Sequence, residues 1–178
     1  VAIRLDVNQG YSVDQARRVM RALAGEIEFL EQPVAAADLD GLAALAAEAS
    51  LPVMADEPVL GPCEAEAVLD RGLRLVCVKL MKSGGLAPAV KVCDLAQRCG
   101  ARVMVGCMDE LPISMAAAAH LALSHPAVAY ADLDGHIGMV QEFVTGGLEV
   151  REGRVSVGSA PGLGVVVNEG LLDEFRVL

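Results

Sequence analysis

Short apolar runs alternate along this chain with longer segments whose apolar positions recur every three or four residues, the pattern of strands followed by amphipathic helices. Six such units can be read. "AIRLDVN" leads into "SVDQARRVMRALA", "IEFLEQP" into "ADLDGLAALAAEA", "PVMADEP" into "CEAEAVLDRG", "LVCVKLMKSGG" into "LAPAVKVCDLAQRCG", and "RVMVGCMDE" into "ISMAAAAHLALS"; "VAYADLDG" ends the series. Ser12 before an acidic first turn predicts the start of the first helix, and Gly100 predicts the end of the fourth. Gly84 and Gly85 let the chain turn into that fourth helix. The remainder, "GGLEVREGRVSVGSAPGLGVVVN", is turn-rich with alternating residues and predicts a closing hairpin and tail. No linker divides the chain, so residues 1–178 read as one domain of α/β class with parallel strands. Six units exceed what a small open sheet needs, whereas a closed TIM-like barrel has eight strands. The expectation is an incomplete barrel of about six βα units.

In such barrels chemistry collects at the carboxyl ends of the strands. Here those ends are polar in a regular way: Asp6, Glu31 and Asp56 close the first three runs, Lys79 the fourth, and Asp132 with Asp134 the sixth. Asp6, Glu31 and Asp56 stand 25 residues apart each time, which predicts three carboxylates side by side on adjacent strand ends. Taken singly, each could be a helix cap or a solvated loop charge. Three together repel one another unless a cation sits among them, and hard oxygen donors with positions left for water or substrate suit Mg2+ better than zinc. Lys79, one strand further, would point into the same mouth, where burial and a nearby cation both disfavour its ammonium form and suit it to act as a general base. Lys82 reads as the ion-pair partner of a strand-end acid such as Glu57. Asp132 and Asp134, two residues apart on a strand, face the same side and can grip one cation together; alone, "DLDG" is also a common turn.

Composition narrows the partners. A net charge of -10 with no basic cluster argues against nucleic acid or an anionic membrane surface, leaving a small molecule as the default ligand. The longest apolar stretches fall well short of the roughly 18 residues of a bilayer span. Five cysteines, an odd number without a CxxC pair, read as reduced and mostly buried residues of a cytosolic protein. The chain opens inside a strand pattern without Met, so the lack of a signal peptide says little about targeting.

The motifs "RLDVNQG", "EQP", "ADE" and "VKLMKSGG", in that order and spacing, resemble the muconate-lactonizing subgroup of the enolase superfamily over essentially the whole chain. The resemblance implies a modified (β/α)7β barrel. It also implies Mg2+ ligands at Asp6, Glu31 and Asp56, an acid/base lysine at Lys79, and supporting residues at Asn8 and Glu57. The shared reaction is removal of a proton alpha to a carboxylate, giving an enolate that the metal stabilises. Within the subgroup, "YADLDG" is similar to the dipeptide epimerases, in which Asp132 and Asp134 would hold the substrate's free ammonium. "VGCMDE" ends the fifth strand and places Met108, Asp109 and Glu110 near the pocket, Asp109 either reading a polar or cationic side chain or staying a solvated loop acid. His120 and His125 read as structural, and His136 as a possible wall of the mouth.

The family pattern also contains an N-terminal capping domain and two earlier barrel strands with a Lys-x-Lys motif, and no KxK occurs in these residues. Inversion by two bases needs one on each face of the substrate, and only Lys79 is present here. Two other readings follow. Another subgroup enzyme (a cycloisomerase, o-succinylbenzoate synthase or N-acylamino acid racemase) would have no free ammonium for Asp132 and Asp134 to bind. An inactive half-barrel would associate through its open edges, with a second copy or with the strands it lacks.

Overall fold

A computed structural model describes residues 1–48, 50–139 and 143–175. Six strands run parallel in chain order: β1 (Leu5–Asp6), β2 (Leu30–Glu31), β3 (Val53–Met54), β4 (Leu75–Lys79), β5 (Arg102–Gly106) and β6 (Val128–Ala131). β1–β2–β3 and β4–β5–β6 form two ladders joined by a parallel bridge. There Ala55 N–H donates to Leu75 O at 3.1 Å and Cys77 N–H to Ala55 O at 2.8 Å. The helices between them are α1 (Val13–Ala22), α2 (Leu39–Ala47), α3 (Pro62–Asp70), α4 (Leu80–Ser83), α5 (Leu86–Arg98) and α6 (Pro112–Ser124).

Local signals explain most boundaries. Ser12 caps α1 in a full capping box, accepting from Gln15 N–H while the Gln15 side chain accepts from Ser12 N–H. Gly100, at a φ of 67°, follows α5 in the left-handed region that favours glycine. The predicted second helix runs one residue further than can be judged, because Ala49 lies outside the described residues. The fourth strand ends at Lys79 as expected, and the following "LMKS" folds as the helical turn α4, which Gly84 and Gly85, at φ of 82° and 111°, then redirect into α5.

Side chains alternate between two cores. The outer one lies between sheet and helices and includes Leu30, Val53, Val76, Val78, Val103 and Val105. The inner one holds Phe29, Met54, Leu75, Cys77 and Met104, with Tyr130 packed against it. Phe29 of the β2 run meets Tyr130 of β6 edge to face at 5.2 Å, so the sheet curls until non-adjacent strands touch across its concave face, as in a partial βα barrel. Because the period is two, each inner row continues upward into a polar residue or a gap: Phe29 to Glu31, Met54 to Asp56, Cys77 to Lys79, Met104 to Gly106, Tyr130 to Asp132.

Beyond β6 come β7 (Val144–Gly146), β8 (Leu148–Arg151), β9 (Arg154–Val157), β10 (Val165–Val167) and α7 (Glu169–Glu174). β8 and β9 form the expected hairpin, and β10 returns antiparallel to β7, a second ladder that the turn-rich pattern did not reveal. α6 is buried from Met115 through Ala119 and packs on β5 and β6 on one side and on β8 and β9 on the other. A helix covered on both sides has no need of a polar face, which accounts for its nearly uniform alanine-rich sequence. The cysteines depart from expectation. Cys77 and Cys93 are buried and Cys107 half-buried, but Cys63 and Cys99 are exposed, because they sit at the first turn of α3 and at the end of α5. Among the described residues no helix is long and apolar enough to cross a membrane.

Candidate functional site

The strand ends converge above the inner core. Asp6 and Glu31 are direct partners in the β1–β2 ladder, whereas Glu31 pairs with Met54 on β3, so Asp56 stands two residues further along its strand. The equal spacing in sequence therefore does not give three carboxylates in one row. The offset brings Glu31, Asp56 and the Cys77 thiol together, with one donor atom from each lying within 4.8 Å of the others. Asp6 is more exposed and borders the side of the pocket formed with Glu31, Arg4, Met104 and Asp132.

Glu31 is almost sealed from solvent, and burial followed by the charges of Asp6 and Asp56 pushes its carboxyl up to about 7. Lys79 reaches Asp56 Oδ2 at 2.8 Å. Burial would also raise Asp56, but the ammonium groups of Lys82 and Lys79 outweigh it and hold this carboxyl below its ordinary value. The converse holds for Lys79. In the chain without a cation, burial favours its neutral form, yet the hydrogen bond and charge of Asp56, with Glu31 behind, raise it: a carboxylate in contact outweighs desolvation in this state. Lys82 is the ion-pair partner of a strand-end acid, as expected, but of Asp56. Its ammonium binds the carboxylate and backbone carbonyl of Asp56, not Glu57, because α4 folds it back over β3.

The fit to a divalent cation rests on the donors themselves. Glu31 is a buried carboxylate flanked by two more, and the buried Glu57 Oε2 has no hydrogen-bond partner. Hard oxygens at this density suit a divalent cation such as Mg2+. Asn8 turns its backbone N–H to Asp6 Oδ1 at 2.9 Å, and Glu57 Oε1 accepts from Gln9 Nε2 at 2.9 Å.

At the far rim Asp132 and Asp134 are exposed. Partial desolvation and then the charge of Asp134 raise Asp132, as befits two acids sharing one space. Asp134 Oδ1 lies 3.8 Å from the Cys107 sulfur, and Met108 and Asp109 are exposed beside it. Glu110 is instead a loop clamp, buried and accepting from Met108 N–H and the Ser114 hydroxyl. His125 ends α6 against Asp94, His120 is half-buried within that helix, and His136 is half-buried after the rim acids.

Two residues of the site gave no chemical signal in the sequence. Gln32 is fully buried beside Glu31. Gly106 faces Lys79 across the ladder, where a Cβ would stand 2.8 Å from Cys77 Sγ and 3.2 Å from Lys79 Cε, so the missing side chain is the space the lysine stem crosses.

Glu31 also predicts a pH effect on the cation-free chain. Its folded pKa lies above the unfolded value, so between pH 4.5 and about 7 the folded state binds more protons and stability falls as pH rises. The span is worth on the order of 3 kcal/mol. Urea midpoints measured with chelator across this range should decline, and Glu31→Gln should flatten the decline; an equal slope in both proteins would show that Glu31 is not the source.

Residues 1–171 match the family described as Enolase C-terminal domain-like. The chain is 42% identical over 167 residues to the L-Lys-D/L-Arg epimerase of Methylococcus capsulatus, a match covering 92% of this chain and 47% of that protein. Among solved structures, the substrate-liganded L-Ala-D/L-Glu epimerase of Bacillus subtilis superposes with a TM-score of 0.89 at 36% identity, over 94% of this chain and 48% of that one. The dipeptide epimerase of Methylococcus capsulatus complexed with Mg and L-Arg-D-Lys gives 0.85 at 40% identity, over 93% and 48%. The chain thus spans about half the length of the relatives it matches. Strand order, the polar strand ends and the extent of these matches agree, and the chain belongs to the enolase C-terminal domain-like family.

Proposed function

We propose that this chain carries the metal-binding and one proton-transferring face of a Mg2+-dependent dipeptide epimerase. The observation that carries the reading is the convergence of Glu31, Asp56 and Lys79 at adjoining strand ends, a lysine within hydrogen-bond reach of a buried acidic cluster. In this reading Asp6, Glu31 and Asp56 hold the cation. When bound, it offsets the negative charge that builds on the substrate carboxylate as the alpha proton leaves. Lys79 takes or returns that proton on one face, its stem held by the Gly106 notch. Asp132 and Asp134 receive the substrate's ammonium and so orient the alpha carbon toward Lys79. Inversion further requires a proton donor on the opposite face. The dipeptide epimerases among the relatives support the reaction class, and the acidic rim supports a substrate with a free amine.

The test is calorimetric titration with Mg2+. The chain should bind the ion, and Glu31→Gln, which removes a charge at nearly constant shape, should weaken binding by about 10- to 100-fold. Equal binding by the variant would overturn the assignment of the cation site.

A further inference from the structure

Gln32 directly follows Glu31, is 0% exposed and stands at a φ of 33°, left-handed and unusual for a residue with a side chain. A buried amide is costly unless both of its ends are bonded. Both are: Oε1 accepts from the Asp56 backbone N–H at 2.8 Å, and Nε2 donates to the Val34 carbonyl at 2.9 Å. The Gln32 carbonyl in turn accepts from Gln9 N–H at 2.8 Å. Gln9, at a φ of 66° next to Asn8 at 47°, continues the chain of bonds. Its Nε2 donates to Glu57 Oε1 and its Oε1 accepts from Ala36 N–H, each at 2.9 Å. The loops after β1, β2 and β3, which bear Asp6, Glu31 and Asp56 at their entrances, are therefore laced together by two amide side chains. Strained backbone of this kind persists only where its surroundings over-determine it.

We propose that Gln32, supported by Gln9, is a positioning residue of the cation site: by holding the Asp56 backbone against the β2 end, it sets the distance between the Asp56 and Glu31 carboxylates. The residue type follows from the geometry. A glutamine donates and accepts at once, whereas a glutamate could not donate to Val34 and would add a charge beside three acids. A leucine would fill the space and leave the Asp56 N–H and Val34 carbonyl unpaired. The inference rests on the cation reading above and deepens it.

The experiment is Mn2+ binding to the chain, followed by calorimetry and by the electron paramagnetic resonance spectrum of the bound ion. Gln32→Leu and Gln9→Leu are compared with Val68→Ala, which thins the buried core under α3 away from the strand ends. Gln32→Leu should lose about 10- to 100-fold in Mn2+ affinity and broaden the bound-ion spectrum, because its ligands no longer hold one geometry. Gln9→Leu should shift both in the same direction by less. Val68→Ala should lower the melting temperature and leave both unchanged, which separates positioning from general stability. If the unmodified chain binds no Mn2+, the cation reading fails and the positioning role falls with it. If the unmodified chain binds and Gln32→Leu binds within about two-fold of it, the positioning role alone is overturned. Should Gln32→Leu not fold, Gln9→Leu decides, since Gln9 is exposed: an unchanged affinity and spectrum there overturn the proposal.

Discussion

Replacing Lys79 by methionine is expected to slow exchange of the substrate's alpha proton with solvent by about 10^2- to 10^4-fold, the range a general base contributes. Methionine keeps an unbranched stem that fits past Gly106 but presents no atom that can take a proton. The cation site should survive. Lys79 lies 2.8 Å from Asp56 Oδ2 and competes for that carboxylate, so its removal should leave Mg2+ affinity unchanged or tighter. Deuterium incorporation into a dipeptide, followed by proton NMR, measures the first effect, and calorimetry the second. Exchange at the parental rate would show that another group moves the proton. Lys82 would be the first to suspect, since it contacts the same carboxylate.

The second large effect concerns the rim. Asp132→Asn with Asp134→Asn should lower kcat/KM for dipeptides by roughly 2–5 kcal/mol, about 30- to 4,000-fold, because the substrate ammonium would then be desolvated without a counter-charge. Both residues are exposed, so the melting temperature and Mg2+ affinity should stay as they are. An N-acylated dipeptide, which has no ammonium, is the control: the parent protein should turn it over poorly, and the double variant should no longer distinguish the two substrates. Preference for the acylated substrate in the parent would favour the N-acylamino acid racemase reading.

Much of this arrangement can be read from period-two alternation. Phe29 and Glu31, Met54 and Asp56, Cys77 and Lys79, Tyr130 and Asp132 each share the inner face, so a reader who finds the strands finds the polar ends. What the pattern conceals is register. Asp56 lies two residues beyond the partner of Glu31, and this offset, invisible in a 25-residue spacing, decides that Asp56 meets Lys79, Lys82 and Glu31 while Asp6 stays at the side. Lys82 pairs with a strand-end acid as its place in the turn suggests, but which acid it meets depends on how the helical turn α4 folds, and that turn brings it to Asp56. In the cation-free chain the charge state of Lys79 is set by the carboxylate it touches, a contact with Asp56 that strand spacing alone does not show. Gln32 and Gly106 escaped notice because their roles lie in partners distant in sequence.

The two-sided burial of α6 bears on the order in which the chain can assemble. During synthesis this helix leaves the ribosome before the β8–β9 hairpin that covers its outer side. Docking on β5 and β6 hides one half of an alanine- and leucine-rich cylinder, while the other half waits in water until residues 148–157 follow. In that interval the nascent barrel carries an apolar stripe along its flank, the kind of surface that chaperones hold and that neighbouring nascent chains adhere to. The C-terminal hairpin thus acts as a late closure that ends the period in which the chain is prone to aggregate.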